Sequence, residues 1–235
     1  TEQNVVWFLV GDERNAGSIR QSSRAARENA RTIRDLMPRL AFEIINDLNR
    51  FCEDSMTRPM SRSRRVDLLG EVAKRVQQLE GFLSANMMHG AAWSFMRLGN
   101  HLERADMTTR VVDVRSRADF FPETDAGTYE SVHWRSVLRT LYAMQSFQAV
   151  SAGEIETERV MQFLFKDEEL PRSFARCVRS MRTSLRSLPR SERPLRVCNR
   201  SLRDLKGTDF ASADFDLEDF IDACQLNLIA IHDQI

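Results

Sequence analysis

Apolar residues recur at helical spacing along almost the whole 235-residue chain, and only nine glycines and six prolines interrupt them. That pattern commits the chain to an all-α fold, a helical bundle or an array of helical hairpins, because a 3.6-residue period cannot be buried by strands. Ile19, Ala26, Ala30, Ile33, Met37, Leu40, Ile44, Leu48 and Phe51 share one face of a helix over 18–51, which Pro38 should kink or divide. Further helices are predicted over about 66–83, 91–117 and 129–150, from Pro171 onward, then a short one separated from it by Pro189 and Pro194 and ending near Gly207, and one over 216–232. Polar or breaker-rich loops are expected at 55–65 and 121–127. The one strand-like run, Val5–Val10, is short and ambiguous.

Two segments match at an offset of 155. FLVGDE at 8–13 pairs with FLFKDE at 163–168, Ser18-Ile19 with Ser173-Phe174, and Arg24, Arg27 and Arg31 with Arg179, Arg182 and Arg186. The shared apolar register suggests a duplicated unit. The expected organisation is the C-terminal part of a first copy over 1–90 and a second copy over 91–235. Long helices precede FLFKDE, almost nothing precedes FLVGDE, and no initiator methionine opens the chain. The first copy is therefore expected to be incomplete, and the chain a fragment or processed piece of a larger protein.

Charge is balanced, with 34 basic and 34 acidic side chains, which argues against a globally basic nucleic-acid coat or an acidic disordered tail. No apolar run approaches the ~20 residues of a membrane span. Cys52, Cys177, Cys198 and Cys224 form no CxxC pair, and three of them fall among apolar helix positions. They are expected to be buried, reduced thiols in a cytoplasmic protein.

Two charge patterns stand out. In the helix over 91–117, Glu103, Asp106, Arg110 and Asp113 form a stripe between two apolar flanks, Phe95/Leu98/Leu102/Ala105/Val112 and Met96/Met107/Val114. Arg97, Arg104, Thr108, Arg115 and His101 are assigned to the solvent side. A charged stripe threaded through an apolar arc is either a buried ion network that fixes register or a site at a helix cleft for a cationic, metal or protein ligand. Metal is disfavoured, because Arg110 competes with a cation and no Glu-x-x-His pair is present. Glu103→Leu should then be more damaging than Arg104→Leu.

The second pattern is an arginine face, Arg172, Arg176, Arg179, Arg182 and Arg186, opposite Phe174, Cys177, Val178, Met181, Leu185 and Leu188. Residues 171–206 carry net +9 and 207–235 net −7. The two segments can neutralise one another, or the face can bind an anionic partner. No aromatics interleave it, which argues against single-stranded nucleic acid. No GxSxG, HExxH, P-loop or GxGxxG is present, so no self-contained catalytic signature or cofactor site is read.

The segments SSRAARENARTIRD (22–35), RLGNHLERADMTTRVVD (97–113) and FLFKDEELPRSF (163–174) resemble the bacterial alpha-E family, an all-helical and usually duplicated domain named for a Glu-Arg pair, here Glu103-Arg104. The resemblance implies a first Glu-Arg helix ahead of the region seen here. The family tends to have a proline after the asparagine of Asn15-Ala16-Gly17-Ser18, and this chain has none. By matching position the resemblance implies binding roles for Glu103, Arg104, Asp106, Arg110 and Asp113, and for Arg27, Glu28, Asn29 and Arg31 of the first copy. It also implies companions: circularly permuted ATP-grasp-type ligases, with transglutaminase-like or peptidase proteins, in a system that makes or modifies peptides. The expected function is a non-catalytic helical partner in such a system. The alternatives are a carboxylate enzyme using Glu103 and Asp106, or an anion-binding or nucleic-acid-binding helical protein.

Overall fold

The computed structural model describes residues 1–56, 61–116, 126–151, 153 and 155–235, with the backbone alone at 115, 116 and 126–129. Every element among them is helical. Residues 57–60 of the expected 55–65 loop, residues 121–125 of the expected 121–127 loop and the side chain of Arg115 lie outside the described residues; at their described ends both expected loops are helical instead, since helices run to Ser55, from Arg62 and from Ala126. The chain divides into two compact units, Thr1–His89 and Gly90–Ile235.

The first unit holds α1 (Glu2–Val10), α2 (Ile19–Thr32), α3 (Arg39–Ser55) and α4 (Arg62–Asn86). The ambiguous 5–10 run is the end of α1, where Val6 and Val10, four residues apart, turn inward against Leu48, Cys52, Met56 and Leu68. The long helix predicted over 18–51 is divided: α2 ends at Thr32, a 3-10 turn covers Arg34–Leu36, and α3 begins straight after Pro38. Proline has no N–H to continue the ladder, so the break falls where the sequence places it. Glu53 of α3 ties α2 down through Arg20 (2.6 Å) and Arg24 (2.7 Å). Partial burial works against its ionised form, but the hydrogen bonds from both arginines outweigh it and hold the carboxyl below the usual range.

The second unit holds α5 (Ala91–Ser116), α6 (Ala126–Thr140), α7 (Met144–Val150), α8 (Thr157–Met161) continuing into a π-helical turn (Gln162–Lys166), α9 (Phe174–Leu185), α10 (Glu192–Gly207) and α11 (Leu217–His232). The single helix expected over 129–150 is two. Tyr142 adopts a left-handed φ of 55°, and the Ala143 N–H turns back to the Leu138 carbonyl, which reverses the chain between α6 and α7. Pro171 sits in the turn ahead of α9, not in its first turn. Ser173 takes the N-cap, accepting from the Arg176 N–H at 3.1 Å and donating to the Asp167 carbonyl.

The core of this unit lies where α5, α9, α10 and α11 meet. It is completed by rings of Phe165, Phe174, Phe210, Phe215 and Phe220, with neighbouring centroids 5.0–6.4 Å apart. All four cysteines are buried and free. Burial pushes the Cys177 and Cys198 thiols up to about 11 and Cys224 to about 12, which keeps them protonated and unreactive.

The units share their helix starts. Ser18 and Ser173 cap α2 and α9, each through the N–H three residues on, and Ser61 and Asp216 do the same for α4 and α11. Asp12 and Asp167 each accept the N–H two residues on, from Arg14 and Glu169. All three pairs lie 155 residues apart. Because Ser173 is fully buried and closes two such bonds, Ser173→Ala is expected to cost about 1–2 kcal/mol. An unchanged urea midpoint would show that the cap is dispensable.

Candidate functional site

The site residues expected on α5 do not form a buried site. The inward seam of α5 is Ser94, Leu98, His101, Ala105, Thr108 and Val112, spaced alternately by four and three residues and each 7% exposed or less. It packs antiparallel on α9, whose seam Phe174, Val178, Met181, Leu185 and Leu188 has the same spacing. Thr108 donates to the Arg172 carbonyl (3.0 Å) at one end, and the hydroxyls of Ser94 and Ser187 meet (2.8 Å) at the other.

At 100° per residue this seam puts Glu103 diametrically outward, with Arg110, Asp106 and Asp113 curving round the same outer side. Glu103 and Arg110 are exposed; Asp106 and Asp113 are half-buried. The Arg110 Nε holds Asp106 at 2.6 Å, so the guanidinium sits where a cation would bind. The four residues form a surface ion stripe, not charges threaded through the interior.

The solvent side was misassigned as well. His101 and Thr108 are buried and Arg104 is half-buried, whereas Phe95, Met96, Met107 and Val114 are exposed. The reason is physical. α5 has apolar residues on nearly every side, so hydropathy does not choose a face. Close approach to α9 does, and it favours small side chains over large ones against the bulky α9 seam.

The residue missed is His101. It lies in the seam 4% exposed, and neither ring nitrogen has a hydrogen-bond partner among the described residues. Burial first, then the nearby charges of Arg97, Arg104 and Arg176, hold it down to about 4, so it is neutral at pH 7. Its four-three spacing with Leu98, Ala105 and Thr108 was the sequence signal that could have placed it inward.

On α9 the expected faces hold. Phe174, Cys177, Val178, Met181, Leu185 and Leu188 are buried, Arg176 and Arg186 are exposed, and Arg172, Arg179 and Arg182 are half-buried. Arg179 pairs with Glu168 at 2.5 Å, which neutralises part of the basic face within the unit, and Arg182 donates to the Asn199 amide oxygen at 3.4 Å. The first-copy candidates all lie exposed on α2: Arg27 bonds Asn46 (2.8 Å), Arg31 pairs with Glu28 (2.5 Å), and Asn29 lies on the same surface.

Among the described residues, two concavities of the second unit are open to solvent. One, of about 650 Å³, lies beside Phe95 and Leu188; the other, of about 440 Å³, lies beside the π-helical turn at Arg159, Phe163 and Lys166. Neither includes the Glu103 stripe. Among the described residues no three His, Cys, Asp or Glu side chains converge as a metal site, and no helix is long and apolar enough to cross a membrane.

The molecule is thus an all-helical protein of two units whose central helix carries a Glu-Arg pair, with Glu103 outward and Arg104 against the α9 side. A family described as a predicted alpha-helical domain with a conserved ER motif, Alpha-E, matches residues 1–235, and the chain belongs to that family. It is similar to an uncharacterized protein of Mycobacterium bovis, 23% identical over 195 residues, covering 80% of this chain and 21% of that protein. An uncharacterized protein of Mycobacterium tuberculosis is 22% identical over the same length and shares. The chain therefore spans about a fifth of the length of the curated relatives it matches. No solved structure matches.

Proposed function

We propose that this chain is a non-catalytic helical partner of a circularly permuted ATP-grasp-type ligase, acting in the cytoplasm in a system that makes or modifies peptides, with transglutaminase-like or peptidase proteins as companions. The observation that supports the reading is the α5–α9 pair. It is a closely packed antiparallel pair with acidic Glu103, Asp106 and Asp113 on its outer side and exposed Arg176 and Arg186 on its basic one. Charges of both signs on one surface set the orientation and register of a protein partner. With Arg110 against Asp106, the stripe is better suited to contacting a charged surface than to holding a catalytic ion.

The test is binding between the purified chain and the ATP-grasp protein of the same genome. A complex is expected, weakened about tenfold or more by Glu103→Arg and by Arg176→Glu with no change in melting temperature. Turnover of ATP or peptide by the chain alone, or no complex at micromolar concentrations, would remove the proposal. Steep salt-dependent binding to DNA or RNA would replace it with nucleic-acid recognition through the α9 arginines.

A further inference from the structure

His101 is the buried polar side chain that the fold leaves unanswered. It is 4% exposed, and neither ring nitrogen has a hydrogen-bond partner among the described residues. A dry, unpaired imidazole works against stability, so its surroundings must give the reason for it. Arg97 and Arg104 stand one turn to either side of it, within about 60° on the same flank of α5. The Ser94–Ser187 hydroxyl pair and the Thr108–Arg172 bond, each seven residues from His101, fix the register with α9. By that register the ring lies level with about residue 180, and Arg176 is one turn away. The Trp93 ring holds Arg97 at this edge, 5.8 Å from its guanidinium carbon. The charges acting on His101 are those of Arg97, Arg104 and Arg176, and those acting on nearby Cys177 are of Arg104, Arg172 and Arg176. No carboxylate acts on either group among the described residues. Arg97 and Arg104 are half-buried and Arg176 is exposed, so a positive rim surrounds a cleft with the imidazole as its floor.

We infer that the α5–α9 cleft at His101 binds a phosphate group, free or as a monoester, between Arg97, Arg104 and Arg176, with a ring nitrogen of His101 donating to it. A doubly charged tetrahedral anion suits this set better than a carboxylate does. The arginines come from two helices and approach from different sides, whereas a planar carboxylate is satisfied by a single guanidinium fork. The anion also offsets the charges that disfavour a proton on the ring, so the imidazole can donate from the nitrogen that faces the cleft. This cleft lies on the other side of α5 from the Glu103 stripe. Arg176 also belongs to the surface proposed for the protein partner, so the test uses the chain alone and its outcome does not depend on that reading.

The probe is inorganic phosphate, titrated into the whole chain at neutral pH in a buffer free of other oxyanions and followed through the NMR resonances of the His101 ring. Adenosine monophosphate and acetate are run beside it. At least one of the two phosphates is expected to saturate with a Kd of about 1 mM or below, about tenfold tighter than acetate, and to shift the His101 ring. The tighter of the two distinguishes a free phosphate from an ester, and either result supports the site. Arg176→Ala should weaken binding about tenfold, whereas Arg203→Ala, which removes an exposed arginine of α10, should leave it unchanged. His101→Leu should weaken it as well while melting no lower than the wild type. No saturation by either phosphate at about 10 mM, or acetate binding as tightly, would overturn the inference. So would equal losses in the two arginine variants, or undiminished binding by His101→Leu.

Discussion

Ala105→Glu is expected to unfold the second unit at room temperature, while Glu103→Leu, two residues away, leaves its melting temperature almost unchanged. Ala105 is fully buried in the α5 seam, facing α9. A glutamate there must either expel α9 or leave an ionised carboxylate unpaired in the core, at a cost of several kcal/mol. Against a total stability of about 5–15 kcal/mol, that is most of what the unit has. Glu103 lies on the opposite side of the helix, in solvent, where substitutions stay within about 0.5 kcal/mol. The earlier expectation that Glu103→Leu would be damaging is withdrawn with the buried stripe on which it rested. Circular-dichroism melts of the two variants check this. Equal losses would mean that α5 is rotated from the register described.

Acidification from pH 7 to pH 4 is expected to weaken the wild-type chain by about 3 kcal/mol more than a His101→Leu variant. An imidazole titrates near 6.5 in the unfolded chain and at about 4 in the folded one. Between those values the unfolded state binds the extra proton, so stability rises with pH there. The contribution is fully present above about 6.5, falls as pH drops, and is gone below about 4. Leucine removes the titrating group and also two ring nitrogens with no partner among the described residues. The variant should therefore already be more stable at pH 7, by about 1–3 kcal/mol. Urea titrations of both proteins at pH 7, 5.5 and 4 measure the difference. Parallel curves would place His101 in water.

What survives in the natural protein is a polar residue in a core seam beside Arg97, Arg104 and Arg176, where leucine would pack better. A buried polar group of this kind can fix register between two helices at some cost in stability. If it does so here, His101→Leu should gain stability and lose sharpness of packing together, seen as a stable unit with a shallower thermal transition.

Much of the fold was legible in the sequence because its signals are local. Pro38 lacks the N–H that would carry one helix through it, whatever surrounds it, and α3 starts directly after it. Ser18, Ser61, Ser173 and Asp216 cap the N–H groups three residues on, so helix starts recur at a fixed offset before any packing is known. The faces of α9 were legible as well, because arginines and apolar residues divide its circumference cleanly. The turn at Tyr142 was not, because neither glycine nor proline marks it; the chain reverses there so that Leu138, Leu141 and Phe147 can all reach the core.

α5 is where local reasoning stopped. Phe95, Met107 and Val114 are as apolar as Leu98 and Val112, so its own composition weighs its faces nearly alike. The choice falls to α9 and α11, whose bulky seams admit serine, alanine, threonine and one neutral histidine and push the larger side chains and the carboxylates outward. The sequence by itself determined the helical class and the breaks that a proline or a capping side chain marks, since those depend on neighbours three or four residues away. Only tertiary contact decided which side of the motif helix is interior, because burial is a property of two surfaces and the sequence of one helix describes a single surface.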